Sequence, residues 1–324
     1  MDDSDADYEA TAEIWTANWP EYPKTAEMYR YSAETRDPAS VVGRLAAEET
    51  DGSKAGLVVA TGYYREESDN VADGKYLLYA QVRPGRHGEG IGSALFDALI
   101  EGLDEHRPQI LSSFTREDHD AGIAFLESRG FRVSMKEQDS ELDLSSWDAS
   151  AFAGAVESVR DSGVTIVAAS ELAGRDPDWK RRAWELHGEI IPDVPDDDLL
   201  TNEPFEQFAR SFDHPDFIPA GYFVALDGHR WVGMSSVWKR RNKPGELYTR
   251  LTGVVRSHRR RGIATALKVR AHEFARSIGA ETIVTDNEEN NPMYGLNVRL
   301  GFKPTKAWLQ FRKELAARPE GDIP

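Results

Sequence analysis

The chain has 324 residues, 40% of them hydrophobic, which is enough for two domains that each bury a core. Its formal net charge of −17 at pH 7 opposes binding to nucleic acid, and its lack of cysteine excludes disulfides, thiolate metal ligands and a cysteine nucleophile. No apolar stretch is long enough to cross a membrane, the first residues are acidic where a signal peptide is basic, and the eight histidines lack metal-binding spacing, so we expect a cytoplasmic protein without metal.

An internal repeat runs through the chain at an offset of about 172 residues. The sequence Gly-Ile-Gly that starts at Gly90 recurs as Gly-Ile-Ala at Gly262, and Val82 recurs as Val254 at the same offset. The prolines of WPEYP match those of IPDVP, and both copies close with Gly-Phe at an offset of 171. Chance would scatter the offsets, so the pattern predicts a duplicated domain of about 150 residues.

Both copies predict the same order of elements. Polar helices come first, followed by strands rich in aromatic and β-branched residues, which in the second copy are AGYFVALDG, WVGMSSVWK and ELYTRLTGVV. A long helix then runs from Gly262 to a glycine stop at Gly279, with apolar residues at helical spacing. A buried strand, a short helix and a last strand follow as TIVTD, NPMYGLNVRLG and KAWLQFRKEL. This order predicts a mixed α/β sheet with helices on its faces.

The repeat also predicts the domain boundaries. The second copy opens with an apolar strand at residues 164–168, and subtracting the offset places the equivalent strand before Met1. The first copy therefore lacks its first strand, or the chain as given starts late. Residues 147–163 are expected to form a linker helix. We expect an N-terminal domain at residues 1–146 and a C-terminal domain at residues 164–324.

An anion-binding site is predicted where a strand passes into the long helix of the second copy. The strand that ends at Val254 continues through the turn RSHRRRG into a helix that starts near Gly262. Free backbone N–H groups and the helix dipole would converge there, and the small residues Gly262 and Ala264 would let a phosphate approach closely. The alternative is a basic turn that only starts a helix. The recurrence of the glycines after a predicted strand in both copies favours the binding site.

The series of strand, RxxGxA, long helix, strand, Asn-containing helix, Gly-Phe and strand resembles the GNAT superfamily of N-acetyltransferases. Its occurrence twice resembles the tandem members, among them mycothiol synthase, and it covers nearly the whole chain. The resemblance implies a tandem duplication of the acyl-CoA N-acyltransferase fold, with acetyl-CoA as co-substrate. It assigns the pantetheine arm to Val254, Val255 and Arg256, and later contacts to Asn290. It assigns the pyrophosphate to the turn and helix start: Arg259, Arg260, Arg261, Gly262, Ile263, Ala264 and Thr265.

The first copy departs from the family pattern. His87 stands where the family has arginine or glutamine, although three glycines keep the turn open. The resemblance therefore implies a second cofactor site that is weakened or vestigial. Its residues are Val82, His87, Gly88, Gly90, Gly92 and Ser93.

The catalytic positions depart from the family pattern in both copies. Many members place a tyrosine seven residues after the asparagine of the short helix, and that count reaches Asn297 here. Members with a glutamate base would place it at Tyr248, so the reaction of mycothiol synthase is not supported. By position, Tyr248, Glu246 and Asn297 are catalytic candidates, with Tyr294 as an alternative proton donor. Each also has a purely structural interpretation, as a core tyrosine or a capping residue.

The acceptor is predicted to be the primary amine of a small cationic molecule. In this fold the loop after the first helix contacts the acceptor, and here it holds Asp193 between two prolines, with Asp196, Asp197 and Asp198 interpreted as a solvated acidic run. Without cysteine, transfer would be direct attack in a ternary complex. The alternatives are a non-catalytic acyl-CoA-binding sensor or scaffold, and a nucleic-acid module that uses the arginines. A monomer and a homodimer are both consistent with the sequence.

Overall fold

The computed structural model describes residues 4–67, 74–196, 198 and 200–315. The chain forms two compact units, the first made of Met1–Ser134 with Leu309–Pro324 and the second of Met135–Trp308. Among the described residues, no helix has the length and apolar character that a bilayer crossing requires.

Among the described residues before 132, the first unit contains four α-helices and four strands. They are α1 (Asp5–Asn18), α2 (Ala26–Thr35), β1 (Val42–Glu48), β2 (Val58–Glu66), β3 (Lys75–Val82), α3 (Ile91–Leu103), β4 (Ile110–Arg116) and α4 (Asp120–Ser128).

The second unit repeats this order and adds elements before it. They are β5 (Arg132–Asp143), α5 (Ala153–Asp161), β6 (Val164–Ala168), α6 (Ala169–Leu172), α7 (Trp179–Ile190), α8 (Phe205–Ser211), β7 (Tyr222–Asp227), β8 (Arg230–Lys239), β9 (Glu246–Val254), α9 (Ile263–Ser277), β10 (Thr282–Glu288), α10 (Pro292–Arg299) and β11 (Lys303–Pro304). The chain's last strand is β12 (Trp308–Glu314). Short 3₁₀ turns occur at Gly52–Lys54, Asp104–His106, Ala149–Phe152, Ile191–Asp193, Pro219–Gly221 and Arg256–His258.

Each unit is built on a mixed sheet. In the first unit β1, β2 and β3 are antiparallel and β3 pairs with β4 in parallel. In the second unit β6, β7, β8 and β9 are antiparallel, β9 pairs with β10 in parallel, and β10 pairs with β5 antiparallel. The predicted duplicated α/β fold is confirmed, with β6 as the extra strand of the second copy.

The last strand of each repeat belongs to the other unit. From Leu309 onward β12 is part of the first unit, where it is hydrogen-bonded to β4, and from Met135 onward β5 is part of the second. Phe311 of β12 is fully buried in the first unit's core together with Phe96 and Phe131. An aromatic residue from the end of the second repeat therefore completes the core of the first unit.

The long helix α9 has the stop and the buried face that its sequence predicts. Ala266, Leu267 and Ala271 are fully buried in the second unit's core, and the chain leaves the helix at Gly279, whose φ of 81° is left-handed. The helix begins after Gly262, also left-handed with φ of 77°. Glycine at both ends lets the chain turn sharply without a Cβ penalty.

Replacement of Phe311 by alanine is expected to destabilise the first unit. Removing a fully buried ring leaves a cavity and costs about 3–5 kcal/mol in the free energy of unfolding. Hydrogen exchange should speed up in β3 and β4 and stay unchanged in β8 and β9. As a control, Phe302→Ala removes a buried ring of the second unit's core and should do the reverse. Faster exchange in β8 and β9 after Phe311→Ala would contradict the strand assignment.

Candidate active site

A gap opens in the second unit where β9 and β10 lose their pairing. The two strands pair for three residues, from Thr282 with Glu246 to Val284 with Tyr248, and then each continues without the other. On the other side of β9 the register with β8 shifts between Ser235 and Val237, where β9 has one extra residue. A bulge of this kind bends the strand that carries it. The bend accounts for the divergence of β9 from β10.

A cavity of about 560 Å³ occupies this gap, and we call it the β9–β10 cavity. It is lined by the second half of β9, the end of β10, the start of α9 and part of α10. Ligand pockets in proteins are commonly about 300–1,000 Å³, so the cavity has the size of a small-molecule site.

The start of α9 forms one end of the β9–β10 cavity. Gly262 precedes the helix with left-handed φ, and Arg260 two residues earlier also has a positive φ of 61°. The first backbone N–H groups of a helix have no carbonyl partner within it, and Ile263, Ala264 and Thr265 line the cavity at this point. These amides and the helix dipole make a cradle for an anion.

Two arginines next to the cradle are held by an aspartate. Asp193 accepts hydrogen bonds from the guanidinium groups of Arg256 and Arg259, with Arg256 Nε at 2.9 Å and 3.0 Å from its two oxygens. The hydrogen bond from Arg256 lowers the pKa of Asp193 to about 2. Arg259 Nε also donates to the carbonyl of Val254 at 2.9 Å. Asp193 lines the cavity, but its charge is already paired with these arginines.

The predicted site residues divide into two groups. Those that line the β9–β10 cavity are Asp193, Val254, Arg259, Arg260, Gly262, Ile263, Ala264, Thr265 and Asn297. Those that lie outside its lining are Glu246, Tyr248, Val255, Arg256, Arg261, Asn290 and Tyr294. Asp197 lies outside the described residues.

The residues outside the lining have other partners. Glu246 is ion-paired with Arg240, and Arg261 lies 3.6 Å from a carboxylate oxygen of Asp227. The side-chain amide of Asn290 donates to a neighbouring glutamate at 2.8 Å. Glu246 is the first residue of β9, at the end of the strand where β9 still pairs with β10.

A partly buried carboxylate lines the gap. Asp286 of β10 lines the cavity and accepts a hydrogen bond from the hydroxyl of Tyr248 at 2.8 Å. Burial raises the pKa of Asp286 above its usual range, and it also raises the pKa of the Tyr248 hydroxyl. Lys268 of α9 lines the same cavity with a side chain only 1% exposed, and burial lowers its pKa to about 7. Groups with such shifts are typical of catalytic sites.

Within the described part of the chain, two buried polar atoms of the cavity lining have no hydrogen-bond partner. They are the hydroxyl oxygen of Thr249 and the side-chain oxygen of Asn297. The amide nitrogen of Asn297 donates to Asn287 at 2.6 Å, which fixes the orientation of its side chain. An unsatisfied buried polar atom costs about 1–3 kcal/mol, and a ligand that hydrogen-bonds to it recovers this cost.

Carboxylates face one another across β10 and β5. Glu288 lies directly opposite Glu137, and Asp286 directly opposite Asp139, in the antiparallel register. Three of the four, Asp286, Glu288 and Glu137, line the cavity. Like charges in this position destabilise a sheet, and a cationic ligand would relieve their repulsion.

Asp286 and Lys268 are site residues that the sequence analysis missed. Asp286 ends the predicted strand TIVTD, and a polar residue at the carboxyl end of a parallel strand is a usable signal for a binding site. Lys268 lies on the buried face of α9, four residues after Ala264. Helical spacing could predict that Lys268 lies on this face, but it could not predict the cavity beside it.

The first unit has aromatic side chains at the equivalent position. The offset of 172 pairs Asp286 with Phe114, whose ring stacks on Tyr79 with centroids 4.6 Å apart. Trp19 Nε1 donates to the Tyr79 hydroxyl at 2.8 Å. The first copy therefore has a hydrophobic cluster where the second has a carboxylate and a lysine.

The glycine-rich turn of the first unit keeps its shape. Gly88 and Gly90 are left-handed, and Gly92 and Ser93 form the first turn of α3. His87 Nε2 lies 3.0 Å from the carbonyl of Val82, the contact that Arg259 makes with Val254 in the second copy. The backbone of the second predicted cofactor site is thus present, with imidazole in place of guanidinium.

The Acetyltransferase (GNAT) family model matches residues 8–131 and 180–302. The two matches cover more than half of the chain and one falls in each repeat. The chain belongs to this family. As a GNAT protein it is an acyltransferase of the N-acetyltransferase type, and the family generally uses acetyl-CoA.

Several solved structures are similar in fold to this chain. A GCN5-related N-acetyltransferase from Sphaerobacter thermophilus has a TM-score of 0.70 and 19% identity, over 99% of this chain and 96% of that one. A tandem GNAT protein from the clavulanic acid biosynthesis pathway has a TM-score of 0.70 and 18% identity, over 96% of both chains. The glucosamine N-acetyltransferase region of a fungal multi-domain β-N-acetylglucosaminidase has a TM-score of 0.72 and 15% identity, over 95% of this chain and 37% of that one. A search of curated proteins gives no match.

Replacement of Lys268 by methionine is expected to change how stability depends on pH. The pKa of Lys268 is about 7 in the folded chain, against an ordinary value of 10.5, so between these values the unfolded chain binds more protons. The free energy of unfolding therefore rises with pH from about 7 to 9, by up to about 1.4 kcal/mol per pH unit. In Lys268→Met this contribution is lost, which urea denaturation at several pH values would measure. The exposed Lys239→Met is the control. An unchanged pH dependence in Lys268→Met would contradict the burial of a titrating lysine.

Proposed function

We propose that the second unit of this GNAT protein transfers the acetyl group of acetyl-CoA to a primary amine of a small cationic acceptor. The attack is direct, within a ternary complex. The observation that carries this proposal is that the α9 cradle and the Asp286 carboxylate, whose pKa is raised, line the same cavity.

The residues around the α9 start fit the pyrophosphate of acetyl-CoA. The amides of Ile263, Ala264 and Thr265 would donate to phosphate oxygens, and Arg259 and Arg260 would flank them. The unpaired edge of β9, from Thr249 to Val254, offers backbone groups to the amides of the pantetheine arm. Acetyl-CoA would supply the activated thioester. Val255, Arg256, Arg261 and Asn290, predicted from the resemblance as cofactor contacts, lie outside the cavity lining, and Arg256 would act on the site through Asp193.

The acceptor end of the site would be the acidic one. Glu137, Asp286 and Glu288 line the cavity on β5 and β10, while the cradle lies at the start of α9. An ammonium group would be attracted to these carboxylates, and an anionic acceptor would be repelled. Asp193, the acceptor residue predicted from the sequence, is better suited to hold Arg256 and Arg259 in place for the phosphates.

Asp286 would act as the general base. It would take a proton from the acceptor ammonium, so that the neutral amine can attack the thioester carbonyl. The new C–N bond forms as the C–S bond breaks, and the thiolate that leaves takes up a proton. Tyr248 would position Asp286 and tune its pKa through their hydrogen bond. Asn297 would hold the substrate through its unpartnered oxygen, while Glu246 and Tyr294 stay predictions without a contact to the cavity.

Binding of acetyl-CoA can be assigned to one unit with a matched pair of variants. Isothermal titration calorimetry should find one equivalent per chain, lost in Gly262→Leu and retained in Gly90→Leu. Both glycines precede a helix with nearly equal φ values, 77° and 83°, so the two changes impose similar strain. Two equivalents, with one surviving in each variant, would show that the first unit also binds the cofactor. If the chain does not bind acetyl-CoA, the proposal is wrong.

The base is tested by replacing its carboxylate. Asp286→Asn should lower kcat by about 10²- to 10⁴-fold while the Kd for acetyl-CoA stays unchanged. The assay is thiol release with polyamines, amino sugars and peptide amino termini as acceptors. Asp139→Asn, which removes the opposite carboxylate outside the cavity lining, is the control. Equal rates in Asp286→Asn and wild type would exclude Asp286 as the base.

Tyr248→Phe gives a second readout for the same base. The hydroxyl of Tyr248 lowers the pKa of Asp286, so its loss should raise that pKa further. The reaction needs the ionised carboxylate. The acidic limb of the pH profile of kcat/KM should therefore move to higher pH in Tyr248→Phe. An unchanged acidic limb would show that Tyr248 does not affect the pKa of the base. Binding of acetyl-CoA without thiol release for any amine would instead support the sensor alternative.

A further inference from the structure

A second cavity, of about 330 Å³, lies within the first unit, and we call it the α1–α2 cavity. It is bounded by α1, α2 and the loop between them on one side and by β1, β2 and β3 on the other. Its lining includes none of the residues of the glycine-rich turn at 85–92. It is therefore distinct from the second predicted cofactor site.

The charge of this cavity is opposite to that of the whole protein. The chain carries a net charge of −17, yet the cavity is lined by four cationic side chains, Lys24, Arg36, Arg44 and Arg65, and by one carboxylate, Asp7. Lys24 and Arg65 have no carboxylate partner among the described residues. Burial and the nearby Arg65 lower the pKa of Lys24 to about 8. Two neighbouring cations, Lys24 and Arg65, that lack a carboxylate partner among the described residues indicate a site for an anion.

The lysine is held in place by the loop that carries it. The backbone N–H of Lys24 donates to the hydroxyl of Thr16 at 3.1 Å, and that hydroxyl lies 3.2 Å from the Lys24 carbonyl. The indole N–H of Trp15 donates to the carbonyl of Tyr22 at 2.6 Å, which fastens the same loop to α1. The ammonium lies 3.7 Å from the centre of the Trp15 ring. The cation is thus preorganised, which lowers the entropy lost when a ligand binds.

The walls of the cavity are aromatic and hold one unsatisfied acceptor. The five aromatic side chains of the lining are Tyr8, Trp15, Tyr29, Tyr63 and Tyr79. Gln81, only 7% exposed, lines the cavity and donates from Nε2 to Thr61 at 3.1 Å. Its side-chain oxygen is buried and accepts no hydrogen bond from any residue that the structure describes. A ligand with an O–H or N–H group would satisfy it.

We infer that the α1–α2 cavity of the first unit binds a small aromatic carboxylate that carries a hydrogen-bond donor. The carboxylate contacts Lys24 and Arg65, the ring packs against the aromatic walls, and the donor reaches Gln81. A cavity of about 330 Å³ is at the small end of ligand pockets, which suits a single-ring acid. The first unit is then a ligand-binding module, independent of the acetyl-CoA site of the second.

Calorimetric titration of the full chain with the three hydroxybenzoate isomers tests this inference. At least one isomer should bind with one equivalent per chain, and its uncharged hydroxybenzamide should bind at least about tenfold more weakly, because the charge-assisted hydrogen bonds are lost. Lys24→Met and Arg65→Met should each weaken binding by roughly tenfold or more. Arg30→Met, which removes an exposed cation of α2 outside the cavity lining, is the control and should bind as wild type does.

Three results would overturn the inference. These are no binding of any isomer, equal affinity for the acid and its amide, and equally tight competition by inorganic phosphate. Melting temperatures of the variants show whether each one folds. If Lys24→Met does not fold, Arg65→Met decides, and an unchanged affinity in that variant contradicts the site.

Discussion

The divergence of β9 from β10 is the feature on which the active site depends. Parallel pairing ends at Tyr248 and Val284, opposite a bulge between β8 and β9. Beyond that point the edge of β9 is free to pair with an extended ligand, and the start of α9 lies at one end of the gap. A sheet with continuous pairing would close this space, since neighbouring strands lie only about 4.8 Å apart. The bend therefore creates the cavity and exposes Asp286 within it.

The same backbone serves different chemistry in the two repeats. Both keep the parallel pair of strands, the left-handed glycine and the long helix. In the second copy the gap contains Asp286 and Lys268, whose burial shifts both pKa values. In the first copy Phe114, Tyr79 and Trp19 pack together at that place. Proton transfer needs a group such as the Asp286 carboxylate of the second copy, because aromatic carbon cannot accept a proton from an amine. The cationic α1–α2 cavity gives the first unit a separate role.

Local sequence signals predicted much of the fold, and long-range contacts limited the rest. The repeat, the extra strand β6 and the helix α9 could be predicted because glycine positions and apolar spacing depend on nearby residues. The exchange of β5 and β12 could not, because the choice between distant partner strands leaves no signal in the neighbouring residues. The pairing of Asp193 with Arg256 joins residues 63 positions apart, which no local pattern reveals. The burial of Lys268 depends in the same way on distant packing.

Hydrogen exchange with and without acetyl-CoA tests the central claim most directly. If the cofactor lies against β9 and the α9 cradle, as we propose, amides at residues 249–266 should exchange more slowly when acetyl-CoA is present. The equivalent segment at residues 77–94 should exchange at an unchanged rate, because its gap is filled by aromatic side chains. Protection of residues 77–94 alone would contradict the account, since the working cofactor site would then belong to the first unit.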